Sequence, residues 1–461
     1  MYQDLKELST GRFLSEADTE LRRQSSYRRV VALLSGNLVS NVRSESAGTS
    51  ARVSLAGVSG FASTSDTSEE AARRVLDAAK ENALFMRSSV GRDIPRPTRT
   101  ARGGFCQTAS FRDVEQRRMI DFARSLDDDI AKRFPRLVSR RVILSVDAME
   151  KELVTSSALS AHTLLPRASL IVVMTAEGKD GAPVELYEPI AASGSFDEVF
   201  SHPESIYPEL DLLYEKLMDK AEGVRPEAGL KTVVLGGVLS GMLAHEAVGH
   251  TVEADLVKGG SVAGHSLGKT VASSLVSLTD FAHSAFGAPA PLPLYVDDEG
   301  TPAVDAPIIR DGVLVGYLHN RESAAEYGMR PAGNARAYAF SDEPLIRMRN
   351  TAIHPGHSSL SEMILSVEDG YYLVGTNNGQ ADTTGEFMFG INMGYEIKNG
   401  RLGRAILDTT ISGVAFEMLK TVDMVSDGIT WSCSGMCGKK QPMPVGMGGP
   451  ALRCKMMMGG K

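Results

Sequence analysis

An apolar run between Thr232 and Ala244 ends in two histidines and a glutamate, in the order Leu243-Ala244-His245-Glu246-Ala247-Val248-Gly249-His250-Thr251. Val238, Leu239, Met242 and Leu243 read as a buried helix, which carries the imidazoles and the carboxylate into the interior with it. A buried Glu beside two His is costly unless something pairs with them. A divalent transition metal, with the Glu beside it as general base, is such a partner. Any fold of this chain must therefore close further groups over this helix. The spacing adds a second constraint. In the common His-Glu-x-x-His pattern the imidazoles are four apart and share one helical face. Here the step is five residues, from His245 to His250. At about 100° per residue, it places the side chains about 140° apart on a regular α-helix. Three readings follow: a coincidental motif, a π-like widening, or a helix that ends near Gly249 so that His250 swings back.

Two imidazoles leave a zinc site one protein ligand short. Glu253 and Asp255 stand just downstream and read more readily as a solvated helix end than as ligands. Distant thiols are the other candidates. Cys437 lies in Gly435-Met436-Cys437-Gly438-Lys439, where glycines free the backbone and Lys439 favours a thiolate. Cys454 stands in alternating, strand-like text, and Cys433 is close by in sequence. Each of these cysteines also reads as simply buried. Four cysteines in 461 residues make no disulfide framework and fit a reducing cytoplasm. The acidic stretch Tyr295-Val296-Asp297-Asp298-Glu299-Gly300 reads as a cation site or as a turn. The polar segment from Asn377 to Phe387 reads as a site wall or as an ordinary connection. The glycines follow no phosphate-loop or dinucleotide spacing, and no Gly-x-Ser-x-Gly elbow argues for a serine hydrolase.

The length predicts two domains, and 43% apolar with 23% charged residues describes a soluble globular chain. A net charge of -8 argues against nucleic acid as a partner, and the Arg92–Arg99 stretch reads as a solvated loop. Met1–Lys6 opens with charge and lacks the apolar stretch of a secretory signal. Thr232–Ala244 falls short of the roughly 20 residues that a membrane span needs. The expectation is a cytoplasmic protein with no membrane segment.

Along the chain, Arg28–Ser35 and Leu38–Ser44 predict a hairpin about Gly36-Asn37, and Ala51–Ser59 a third strand. Ser68–Met86 predicts a helix capped by Ser68, with Ala72, Val75, Ala78 and Ala79 on one stripe. Further helices are expected over Arg112–Arg133 and Pro208–Glu222, and strands over Val142–Ala148 and Leu170–Thr175. This order predicts an α+β fold. Its N-terminal α/β domain, residues 1–225, has an antiparallel sheet with helices. Beyond the polar joint Glu222–Gly229, residues 226–461 predict a mainly antiparallel β domain carrying the metal-binding helix. Within it, hairpins are expected about Asp311-Gly312 and Asn399-Gly400, and helices over Ser359–Gly370 and Val414–Val425.

Several motifs in order give the chain a family likeness. They are His245-Glu246-Ala247-Val248-Gly249-His250, Asp297–Pro302, Gly312–Tyr317, Gly379-Gln380-Ala381-Asp382 with Gly385-Glu386-Phe387, and Cys437-Gly438-Lys439 with Pro444-Val445-Gly446. Together these resemble the TldD/PmbA peptidases, in the TldD-like, metal-bearing branch, over most of the second domain. The resemblance implies a true zinc site on a distorted helix, with His245, His250 and Cys437 as ligands and Glu246 as the catalytic carboxylate. It implies an N-terminal α/β domain and a β-rich C-terminal domain. It further implies hydrolysis of unfolded or unstructured peptides, including the processing of peptide antibiotics. The expected assembly is a homodimer, or a heterodimer with a metal-free relative. One departure concerns the closing motif, which usually has Gly before the Gln; here Lys440 precedes Gln441. Cys433 and Cys454 leave a ligand swap open. Arg347, Arg349 and His354 are candidates for a second electrophile. The alternative to an enzyme is a catalytically weak peptide-binding or scaffolding subunit of such a dimer.

Overall fold

The structure is a computed structural model and describes Leu5, Phe13 and residues 16–89, 101–109, 111 and 113–459. The Arg92–Arg99 stretch, and all of Met1–Lys6 except Leu5, lie outside these residues. The fold is α+β. No described helix is long and apolar enough to cross a membrane.

The first half is built on one twisted sheet. Its strands are β1 (Asp18–Leu34), β2 (Asn37–Leu55), β3 (Val58–Thr64), β4 (Gly103–Thr108), β5 (Ser139–Thr155), β6 (Leu159–Glu177) and β7 (Pro183–Ser193). Their order is β3-β2-β1-β5-β6-β4, with β7 also on β6. All pairs are antiparallel except β4 with β6. Three helices cover the sheet: α1 (Glu69–Ser89), α2 (Gln116–Arg133) and α3 (Tyr207–Ala221). The Ser68 hydroxyl accepts the Ala71 N–H at 3.2 Å, capping α1 as expected. Ala72, Val75 and Ala79 are buried on its inner stripe, while Ala78 is only half-buried.

Two turns correct the sequence reading. The first hairpin turns on Ser35-Gly36 rather than Gly36-Asn37, with φ of 45° and 83°. Two left-handed residues in succession match the right-handed twist of the flanking strands. A second such turn at Ala56 (φ 51°) and Gly57 (φ 84°) splits the expected Ala51–Ser59 strand between β2 and β3. The helix expected from Arg112 begins at Gln116.

In the second half, β8 (Gly229–Leu235) belongs to a closed ring. It pairs with Asp369–Ala381 on one side and Leu452–Met458 on the other. Glu386–Lys398 pairs with Asp369–Ala381 and with Thr409–Val414, which in turn meets Leu452–Met458. A second sheet runs in the order Val313–Leu314, Ala306–Arg310, Leu278–Phe281, Asn350–Ile353, Gly446–Gly449 and Thr430–Ser432. Left-handed residues Asp311-Gly312 and Asn399-Gly400 form the two expected hairpins. The expected Ser359–Gly370 helix is confined to Leu360–Leu365, because Asp369 already joins the ring. Likewise the Val414–Val425 helix spans only Ala415–Lys420, and Met424-Val425 pair as a strand.

The halves meet through buried ion pairs. Arg52 bonds Glu20 at 2.7 Å and also pairs with Glu299. Arg321 reaches Glu20 at 2.8 Å and Asp18 at 3.0 Å, and Lys151 reaches Asp298 at 2.7 Å. The acidic Tyr295–Gly300 stretch is therefore a turn, with Gly300 at φ 76°. Asp298 and Glu299 take their cations from side chains already in the chain, and Asp297 accepts the N–H groups of Glu299, Thr301 and Ala335. Such pairs add little net stability when intact but cost much when one partner is removed.

Candidate metal centre

The helix α4 (Gly237–Met242) leaves β8 and continues as a π-helical stretch over Leu243–Gly249, then as one 3₁₀ turn over His250–Val252. The His250 N–H donates to the His245 carbonyl, an i→i+5 bond. That wider turn brings residues five apart towards one face. The two imidazole rings lie 5.1 Å apart between centroids, with their planes at 81°. Gly249 does not end the helix, since its φ and ψ are -56° and -46°. It is small because Met348 is there: a Cβ at Gly249 would lie 2.0 Å from the Met348 sulfur. Upstream, a Cβ at Gly237 would lie 2.6 Å from the Gly449 carbonyl, and one at Gly241 3.0 Å from the Gly448 nitrogen. A seam of small residues thus seats α4 against the Gly446–Gly449 strand. Leu239, Leu243, Ala244, Ala247 and Val248 fill the core beneath.

Cys437 comes to this helix from a short strand, Met436–Cys437, paired with Met443–Pro444. One donor atom from each of His245, His250 and Cys437 falls within a group whose members all lie within 4.8 Å of one another. Cys437 Sγ is 3.3 Å from His250 Nε2. Glu246 places its carboxylate oxygens 4.0 Å from His245 Nε2 and 3.7 Å from His250 Nε2. Burial pushes the Cys437 thiol up, but the imidazoles of His245 and His250 beside it outweigh that and bring the group down to about 3. Burial likewise lowers His250, and Cys437 and Glu253 together carry it up to about 10.

His245 tests whether a metal fits. Its side chain is 1% exposed, and neither ring nitrogen has a hydrogen-bond partner among the described residues. A buried imidazole with both nitrogens unanswered, facing a thiolate and a second imidazole, is a donor set suited to a borderline-soft ion such as zinc. The residues fit the group.

The other sequence candidates are placed elsewhere. Glu253 is fully buried and accepts from His250 Nδ1 at 2.7 Å, behind the ring rather than among the three donors. Lys439 is not the thiolate's partner: its Nζ lies 3.2 Å from Glu253 and 2.8 Å from Asp255. Arg347, fully buried, donates to the carbonyls of Cys437 at 2.6 Å, Lys439 at 2.6 Å and Gln441 at 2.7 Å. It clamps the cysteine loop instead of facing a substrate. Arg349 pairs with Asp280 at 2.8 Å, and His354 bonds Thr279 at 2.8 Å, so both are committed to the second sheet. Cys433 bonds the Ala191 carbonyl on β7 at 3.1 Å, and Cys454 is buried beside Val233 in the ring, its thiol pushed up by burial. Asp382 caps a tight hairpin end through Thr384 and Glu386, so within Asn377–Phe387 only residues 382–385 form the connection and the rest belongs to the two paired strands. Where a glycine precedes Gln in the resembling motif, Lys440 takes a left-handed φ of 56°, a conformation that favours glycine. Arg347 was missed as a clamp because no local pattern marks a side chain that binds carbonyls about 90 residues away. In the sequence Glu253 reads as a ligand or a solvated helix end, although an acid three residues after a histidine has the spacing to orient it.

The PmbA/TldA metallopeptidase C-terminal domain model matches residues 228–460, and the model of domain 1 of the same family matches residues 19–83. A zinc metalloprotease TldD homolog from Saccharolobus solfataricus is 32% identical over 293 residues, covering 63% of this chain and 64% of that protein. A metalloprotease from Methanothermobacter thermautotrophicus is 36% identical over 250 residues, covering 53% of this chain and 54% of that protein. The matched region thus spans between half and two thirds of these relatives. The crystal structure of TldE from Thermococcus kodakarensis superposes with a TM-score of 0.74 at 15% identity, covering 96% of this chain and 97% of that one. At that identity the likeness is one of fold. The family models and the relatives agree on the assignment: the chain belongs to the PmbA/TldD family of metallopeptidases.

Proposed function

We propose that this chain is a zinc-dependent peptidase acting on unfolded or unstructured peptides, with His245, His250 and Cys437 as metal ligands and Glu246 as general base. The observation that supports it most is His245, buried with two unanswered ring nitrogens in a group with His250 and Cys437 whose donor atoms all lie within 4.8 Å of one another. A zinc ion held there supplies Lewis acidity, which lowers the pKa of water and polarises a carbonyl. Glu246, 27% exposed at its side chain, faces both the imidazoles and solvent. It takes a proton from the attacking water as the water oxygen bonds to the acyl carbon. It then returns that proton to the amine nitrogen as the C–N bond breaks. The proposed working unit is a cytoplasmic homodimer, or a heterodimer with a metal-free, TldE-like relative.

The test is Glu246→Gln in zinc-loaded protein, assayed on an unstructured peptide. Cleavage should fall by roughly 100-fold or more while zinc stays at about one per chain. Undiminished cleavage would overturn the base. A wild-type chain with full zinc and no cleavage would favour the peptide-binding subunit instead.

A further inference from the structure

Glu253 and Lys439 belong to different parts of the chain, one just beyond the histidine helix and the other two residues after Cys437. They meet in the interior: the Glu253 side chain is 0% exposed and that of Lys439 is 9% exposed. A single carboxylate oxygen, Glu253 Oε2, takes both the His250 Nδ1 contact at 2.7 Å and the Lys439 ammonium at 3.2 Å. A carboxylate oxygen only accepts, so His250 donates to it through Nδ1, and Nε2 is the ring atom that faces Cys437 Sγ at 3.3 Å. Arg347 holds the other end by clamping the backbone of the same loop at Cys437, Lys439 and Gln441. The links run in series from Arg347 through the loop to Lys439, Glu253 and His250.

From this we propose that the Lys439–Glu253 pair is a positioning strut that holds the Cys437 loop and the His250 ring in one fixed relation. The inference rests on the reading of His245, His250 and Cys437 as metal ligands. Neither Lys439 nor Glu253 touches the donors' open side. They act through His250 and through the loop backbone. Lys439 also reaches Asp255, whose side chain is 37% exposed, and the Ile346 carbonyl at 3.1 Å. Asp255 therefore gives the control, because it binds the same ammonium without contacting either ligand.

The experiment measures zinc affinity by competition with a chromophoric chelator in wild type, Lys439→Met, Glu253→Gln, the double variant, Lys439→Arg and Asp255→Asn. Removal of partners that orient a ligand weakens metal binding by roughly 10- to 100-fold, and each of the first two variants should do so. Because the links are in series, the double variant should fall within about threefold of the weaker single one. Lys439→Arg and Asp255→Asn should stay within about threefold of wild type. Cobalt-substituted protein supplies a readout that a loss of general stability does not move: the thiolate-to-cobalt charge-transfer band should weaken in Lys439→Met while the metal remains bound. Circular dichroism of the chelated variants checks the fold. Unchanged affinity in both single variants, or effects that multiply in the double variant, would overturn the strut. A wild-type chain that takes up no zinc would overturn the ligand assignment itself, and the strut with it.

Discussion

Replacing Gly249 by Ala sets two effects of opposite sign against each other. Helix propensity favours Ala by about 1 kcal/mol, and Gly249 has ordinary helical angles, so a reading of the helix alone predicts stabilisation. Packing predicts the reverse. The added carbon would lie 2.0 Å from the Met348 sulfur and 3.2 Å from the Ala244 carbonyl, against an ordinary contact of about 3.5–4 Å. Methionine adapts readily, but Met348 is 0% exposed and can move only into other core atoms. Overpacking of this kind costs about 1–3 kcal/mol, so after the propensity gain the net loss should be up to about 2 kcal/mol. Met348→Ala alone should cost about 2–5 kcal/mol through the cavity it leaves. In that background the clash is gone, and Gly249→Ala should stabilise by up to about 1 kcal/mol. The two substitutions should thus couple by about 1–3 kcal/mol. Urea unfolding of the chelated protein, followed by circular dichroism, gives all four corners of the cycle. If Gly249→Ala stabilises the wild type, or if Met348→Ala fails to reverse its sign, contact with Met348 is not why position 249 is glycine.

Other outcomes follow from the same geometry. Arg52→Met removes a partner of both Glu20 and Glu299 in the buried seam and should destabilise by about 3–5 kcal/mol in the same unfolding measurement. Cys437→Ser should lose tightly held zinc, whereas Cys433→Ala and Cys454→Ala should keep about one zinc per chain by elemental analysis, since neither thiol joins the donor group. Chelation should lower the thermal midpoint, because metal present at a thousand times its Kd stabilises the native state by about 4 kcal/mol. Equal midpoints with and without chelator would argue against a bound ion.

The strand text of the first half was only partly legible, and the reason lies in particular residues. The expected Arg28–Ser35 strand is the end of β1, which starts at Asp18. Its missed portion carries Glu20, Arg22 and Arg23, all buried, so no polar and apolar alternation marks it. Those charges are tolerable inside because partners reach them from other parts of the chain: Arg52 and Arg321 on Glu20, Asp298 near Arg22, and Glu152 on Arg23. Turns were more legible where chemistry is local. Asp311-Gly312 and Asn399-Gly400 announce their left-handed angles, while Ser35 and Ala56 adopt such angles without being residues that favour them.

The site shows the same division between local and distant information. The motif His245-Glu246-Ala247-Val248-Gly249-His250 carries its own geometry, because a five-residue step shares a face only on a widened turn. That expectation of irregularity near Gly249 is met by the π-helical stretch over Leu243–Gly249. The third donor had no local rule to select it. Glu253, Asp255, Cys433, Cys437 and Cys454 were chemically comparable, and family resemblance rather than spacing singled out Cys437. What the fold adds is a physical reason for that choice. The Cys437 loop is held by three carbonyl bonds from one buried guanidinium, and it keeps its path even where Lys440 takes a conformation better suited to glycine. A left-handed lysine costs about 1–2 kcal/mol by its backbone alone. The chain tolerates that cost at a position whose neighbours fix where a thiolate meets two imidazoles.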